Sequence, residues 1–146
     1  GKIDYEDIKA VISSHTEDTP EEMCIYFATK NAEKYLKELD NILKNDVSPV
    51  WVIRALSRYF INLLIVKLRQ IDGMQLQDAV SKLSPPIFFK YQDSFSQNAS
   101  NFSINYITST LELLSNAEID AKNFHDEQAL NNLFIKHYLT DSSRFH

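Results

Sequence analysis

The stretch SPVWVIRALSRYFINLLIVKLRQIDG, residues 48–73, carries both ends of one long helix in its own letters. Ser48 stands where an N-cap hydroxyl accepts an orphan backbone N–H, and Pro49 takes the first helical position, where its missing donor costs nothing. Gly73 closes the segment, because glycine adopts the left-handed conformation that ends helices. Between them Ile53, Leu56, Phe60, Leu63, Leu64 and Ile71 recur at helical spacing and are expected to face inward. Trp51, Ala55, Tyr59 and Val66 form a second apolar strip. At ~1.5 Å per residue the helix is roughly 36 Å long, enough to cross a small domain. A helix apolar on two sides belongs in the middle of a bundle.

A chain of 146 residues with 44% hydrophobic content is expected to form one globular, soluble domain. With only 2 glycines and 4 prolines it has too little turn material for an all-β fold and no glycine-built phosphate cradle, so the expected class is all-α. The longest apolar run, residues 59–68, is interrupted by Asn62 and Lys67 and falls short of the ~20 residues of a membrane span, so no membrane partner is expected. The single cysteine, Cys24, lies on an apolar face with Met23 and Phe27 and reads as a small buried hydrophobe, not a reactive thiol. A net charge of −5 and a pI near 5.3 argue against nucleic-acid binding by bulk field, so any DNA contact must be local. The chain opens on Gly1 instead of methionine, and the expectation is one domain of a larger protein.

Around the long helix the periodicity predicts a bundle of six to seven helices. A short helix over 3–13, with Asp4 as cap and Ile8, Val11 and Ile12 as its apolar side, reads as the tail of a preceding unit. Thr19-Pro20-Glu21-Glu22 is a helix start, followed by inward Met23, Cys24, Phe27 and Ala28. A second helix begins near Asn31 with Ala32, Tyr35, Leu36, Leu39 and Leu43 inward and stops at Asn45-Asp46. After the long helix a short one over 74–83 ends at Ser84-Pro85-Pro86, and Ile87-Phe88-Phe89 are expected to wedge into the bundle. Residues 91–99 read as helical. A strong helix over 103–122 places Ile104, Ile107, Leu111, Leu114, Ala117 and Ala121 inward, with Glu118 and Lys122 as an i,i+4 pair. Asp126 caps a last helix that turns Leu130, Leu133, Phe134 and His137 inward, and 140–146 read as a frayed tail.

Motifs for chemistry are missing. A helical metalloenzyme needs His and carboxylates at i,i+3 or i,i+4, and no Glu-x-x-His or His-Glu-x-x-His occurs. His15 with Glu17 and Asp18, and His125 with Asp126 and Glu127, sit at helix boundaries and read as caps. His137 reads as a buried histidine bonded to a backbone carbonyl, and no glycine-framed elbow presents a serine. No catalytic residue, cofactor or metal is therefore expected. Asn98-Ala99-Ser100 and Asn101-Phe102-Ser103 match the glycosylation pattern without a secretory context. Arg54 and Arg58, four residues apart, with Lys67 and Arg69 beyond them, suit either an acidic partner or phosphate, or a solvated face whose stems shield the second strip.

Three stretches carry a resemblance. Ser48-Pro49-Val50 with Ile53-Arg54-Ala55-Leu56-Ser57-Arg58 looks like a P-x-x-L-L-R-A-L-x-R helix; Pro85-Pro86-Ile87-Phe88-Phe89-Lys90, with Phe95 after it, is similar to a P-P-V-F-F-K segment; and Leu114 to Lys122, with Ala117, Glu118 and Lys122, looks like an L-x-x-A-E-x-x-x-K helix. Tyr5-Glu6-Asp7-Ile8 resembles the end of a preceding domain. In this order the stretches resemble the C-terminal domain of the delta subunit of the bacterial DNA polymerase III clamp loader. The resemblance implies an all-helical, collar-like domain over 15–146, with 1–14 the tail of an ATPase-like lid domain, and a bacterial, cytoplasmic protein of DNA replication. It implies assembly with gamma or tau subunits and delta-prime into a pentamer that loads the sliding clamp onto primed DNA. The clamp itself is contacted through an N-terminal domain absent from this chain, and the fragment is no enzyme, although the parent holoenzyme is a DNA-directed DNA polymerase. Trp51, Arg54, Arg58 and Tyr59 are the expected partner contacts, and Tyr91 and Tyr106, taken as exposed, the expected DNA-stacking residues. Fewer surface arginines than many relatives carry set this chain apart in any DNA contact. The competing reading is a freestanding helical regulatory module that takes a peptide or partner helix in a groove.

Overall fold

A computed structural model describes residues 20–123, 126–139 and 144–145, and seven helices run through them. They are α1 (Pro20–Ala28), α2 (Ala32–Lys44), α3 (Pro49–Ile71), α4 (Leu76–Ser81), α5 (Phe89–Asn101), α6 (Ile104–Asn123) and α7 (Asp126–Leu139). The helix expected over 3–13, the boundary near residue 14, the Thr19 cap, His15 with Glu17 and Asp18, and His125 lie outside the described residues.

α3 starts and stops where its letters dictate. The Ser48 hydroxyl accepts the Trp51 backbone N–H at 3.2 Å, Pro49 opens the first turn, and Gly73 follows the helix with φ +98°. Five of the other six helices pack on α3, with α6 forming the most extensive contact; α2 leans chiefly on α1. The inward side of α3 is Val52, Ile53, Leu56, Tyr59, Phe60, Leu63 and Val66, all buried. By length and composition alone α3 is long and apolar enough to cross a membrane, a length that the Asn62 and Lys67 interruptions do not prevent. Here it is the core helix of the bundle.

The two turns flanking α2 need left-handed residues, and Lys30 (φ 58°) and Asp46 (φ 62°) supply them. Asn31 caps α2 by accepting the Lys34 N–H at 3.3 Å. Tyr35 and Ile42 are its buried residues, whereas Leu36, expected inward, is exposed.

Three further expectations are corrected. Phe88 and Phe89 do not wedge into the bundle; only Ile87 packs against the core, and Phe89 is 77% exposed. α5 begins at Phe89, and its buried stripe is Tyr91, Phe95, Asn98 and Ala99. Phe89 sits two residues before Tyr91, so the helical turn of ~100° per residue points it away from that stripe. Ile71, expected inward, is exposed in the last turn of α3. The end of the chain does not simply fray: the Ser103 N–H donates to the Arg144 carbonyl at 3.0 Å, the Arg144 guanidinium donates to the Thr29 carbonyl, and Phe145 pairs with Phe102 as an antiparallel bridge.

The expectation for His137 holds. Its ring stacks on Phe27 with centroids 3.9 Å apart, and Nε2 lies 2.8 Å from the Phe27 carbonyl oxygen. A carbonyl only accepts, so Nε2 carries a proton, and it is burial that keeps the ring neutral. Burial pushes its pKa down to about 4, the carbonyl bond opposes that shift, and the nearby Lys30 and Arg144 cations add to it. Tyr106 and Tyr138 also face the ring. Because the folded pKa lies below the ordinary value, the unfolded chain binds the proton first as pH falls. Stability is therefore full above about pH 6.5 and is lost progressively toward pH 4. Urea denaturation should show a loss of about 2 kcal/mol between pH 7.5 and 5 that is absent in His137→Gln; equal slopes in the two proteins would remove His137 as the cause.

Candidate partner-binding surface on the central helix

The first half of α3 forms one wall of a surface groove. Pro20, Glu21 and Cys24 of α1 and Trp51, Arg54, Ala55, Arg58, Tyr59 and Asn62 of α3 line about 340 Å³, together with Ile87. The floor is apolar and inert: Cys24 is buried and its thiol lies 3.5 Å from the Ala55 carbonyl oxygen. Burial, with the Glu21 carboxylate beside it, pushes that thiol well above its ordinary pKa, which keeps it protonated and unreactive.

The four expected partner contacts are brought to one groove but take different roles. Trp51 is 43% exposed at the rim. Arg58 is exposed, with neither hydrogen bond nor ion pair among the described residues. Arg54, although exposed, is held by Glu118 of α6 at 3.0 Å. That bond, with a further one from Lys122 at 3.4 Å, holds the Glu118 carboxyl below its ordinary pKa. Tyr59 is buried: its hydroxyl accepts the Asn98 amide N–H at 2.8 Å, and its ring meets Phe95 edge-on. Tyr59 is thus a floor residue of the domain's own core, and the exposed ends of the strip are Trp51 and Arg58.

The expectation of exposed tyrosines for base stacking is overturned. Tyr106 is 1% exposed, packed by Phe60 and Phe102, and its hydroxyl donates to the Ala28 carbonyl at 2.6 Å. Tyr91 is buried, and its hydroxyl donates to Glu22 at 3.3 Å. Neither presents a free ring face. Phe88 and Phe89, which follow the double proline, are exposed instead, with their rings 4.7 Å apart. Among the described residues no three His, Cys, Asp or Glu side chains converge on a point. Asn98, whose sequence matches a glycosylation acceptor, has its amide committed to Tyr59 in the interior.

No protein-family profile matches the chain. A relative described as "Probable DNA polymerase III subunit delta" of Rickettsia prowazekii (strain Madrid E) is 38% identical over 112 residues, which is 77% of this chain and 35% of the relative. Over that span the chain is homologous to a DNA polymerase III delta subunit. The Bacillus subtilis DNA clamp loader delta protein superposes with a TM-score of 0.67 over 83% of this chain and 36% of its own, at 14% identity, which shows the same fold. The chain thus spans about a third of the length of either protein.

The three stretches that resemble the delta subunit meet one another in space or tie the bundle together. Arg54 from the first bonds Glu118 from the third, and Lys122 bonds Glu118 in turn. Lys90, from the second, stands 4.0 Å from Glu22 of α1. These delta-like residues make contacts within the domain, and they leave Trp51 and Arg58 as the strip's exposed pair. Two consequences are measurable in the same denaturation assay. Tyr59→Phe leaves the buried Asn98 amide without its acceptor and should cost about 1–3 kcal/mol, whereas Arg54→Ala, which breaks an exposed pair, should cost under about 1 kcal/mol. The reverse order would mean that Arg54, not Tyr59, anchors the groove.

Proposed function

We propose that this chain is the collar domain of a clamp-loader delta subunit, an assembly element of DNA replication in the bacterial cytoplasm. The observation that carries the reading is the 38% identity to a delta subunit over 77% of the chain. In this reading residues 15–146 form the collar, 1–14 end a preceding ATPase-like domain, and the partners are gamma or tau subunits and delta-prime. Clamp contact and clamp opening belong to sequence outside this chain, and primed DNA is met by the whole assembly. The chemistry asked of the domain is burial of lateral surface, which for a stable contact means more than ~1,000 Å² with an apolar or aromatic centre. The groove beside Trp51 suits that role: it has an exposed indole, an inert apolar floor and one cation, Arg58, with no partner of its own among the described residues.

Mixing the chain with purified gamma and delta-prime subunits should give a complex that co-elutes at micromolar concentration. Trp51→Ala or Arg58→Glu should weaken it by about tenfold or more, the size expected of an anchor at an interface, while stability changes by less than about 0.5 kcal/mol because both side chains are exposed. Separate elution of the unaltered proteins would sink the collar reading. Undiminished binding by folded variants would return Trp51 and Arg58 to solvent.

A further inference from the structure

The outward face of α3 changes character half-way along. Arg54, Arg58, Ile61, Ile65 and Leu68 succeed one another at alternating spacings of four and three, the seam on which one helix receives another. The first two are basic and the last three aliphatic. Ile61 and Leu68 are 46% and 50% exposed, Ile65 is half-buried, and Ile71 beyond them is 67% exposed. From Ile61 to Leu68 this is an apolar strip of roughly 10 Å on a side where a solvated helix is ordinarily polar.

The charges say what kind of surface fits it. α3 holds Arg54, Arg58, Lys67 and Arg69 and no carboxylate, in a chain whose net charge is −5. Arg54 is held by Glu118, Lys67 is buried, and Arg69 donates to the Ala79 carbonyl at 3.0 Å. Arg58 is left, exposed and without a bond or ion pair among the described residues, one turn before Ile61 on the same seam. A second copy of the chain would bring only cations and aliphatics from this seam to Arg58.

We propose that Arg58, Ile61, Ile65 and Leu68 seat a helix of a neighbouring clamp-loader subunit, aliphatic along the contact and with a carboxylate opposite Arg58. The proposal rests on the collar reading and adds the face and the chemistry of its partner. The unaltered chain should bind gamma or delta-prime, and Ile61→Gln with Leu68→Gln should reduce that binding by at least about tenfold without lowering the melting temperature, since both side chains are exposed. A photoreactive phenylalanine analogue at position 61 should cross-link to an apolar helix of the neighbour. If the unaltered chain does not bind either subunit, the collar reading and the seat fall together. If it binds and the double variant binds equally well, or the cross-link forms only to a second copy or within the chain, the seat alone is overturned.

Discussion

Burial of one side of α3 against α6 is the constraint on which the other contacts depend. Ile53, Leu56, Phe60 and Leu63 are fully buried along α3, and Ile107 and Leu114 along α6. Each such side chain contributes about 1.5–3 kcal/mol relative to exposure. The pairing also has a direction: Arg54 meets Glu118, and Phe60 meets Tyr106, so the helices run antiparallel. Once that register is set, α1 can lay Cys24 on Ala55 and α5 can bring Phe95 to Tyr59. The remaining helices add apolar surface to a frame they do not determine.

Polar atoms inside the bundle then fix positions that apolar packing alone leaves loose. His137 donates to the Phe27 carbonyl and Tyr106 to the Ala28 carbonyl, so α7 and α6 both hold the last turn of α1. Arg144 holds the next carbonyl, that of Thr29. These carbonyls belong to the end of a helix, where backbone acceptors have no partner within the helix. The Phe27 carbonyl also accepts the Lys30 backbone N–H at 3.1 Å, so slippage of α7 along α1 would leave the buried His137 N–H, not the carbonyl, unpaired, at a cost of about 1–3 kcal/mol. The end of α1 is therefore closed from three directions by side chains distant in sequence, and this is why residues 144–145 pack instead of trailing free.

Much of this was legible in the letters where physics is local. The cap at Ser48, the stop at Gly73, the joint at Asn45-Asp46 and the Glu118–Lys122 pair depend on residues a few positions apart, and the structure has them. Cys24 and His137 were also placed correctly, because an isolated polar or sulfur group on an apolar stripe has few other solutions. What the letters did not settle is which of several apolar stripes faces the core. Val52 and Val66 are buried and Ile71 is not, although all three are aliphatic and on the same helix. Periodicity shows that residues share a face; only the neighbours decide which face is covered. Phe88 and Phe89 failed for a related reason, since their exposure depends on where α5 starts. Tyr91 and Tyr106 failed because a tyrosine's hydroxyl finds interior acceptors that no local pattern reveals.

The same distinction separates the fold's residues from those left for function. Arg54, Glu118 and Lys122 stood out in the sequence and turn out to bond one another, so their pattern records a contact within the domain. Functional surface has to be sought where a side chain does nothing for its own fold. On α3 that criterion selects Trp51, Arg58, Ile61 and Leu68: exposed, and in the case of Arg58 without a charged or hydrogen-bonding partner among the described residues. Leaving large apolar side chains in water gives the isolated domain nothing, since their burial elsewhere is worth kilocalories. Under the proposed collar role, a helix that is apolar on its solvent side and basic at one end of that side is the half of a contact whose other half is a different chain.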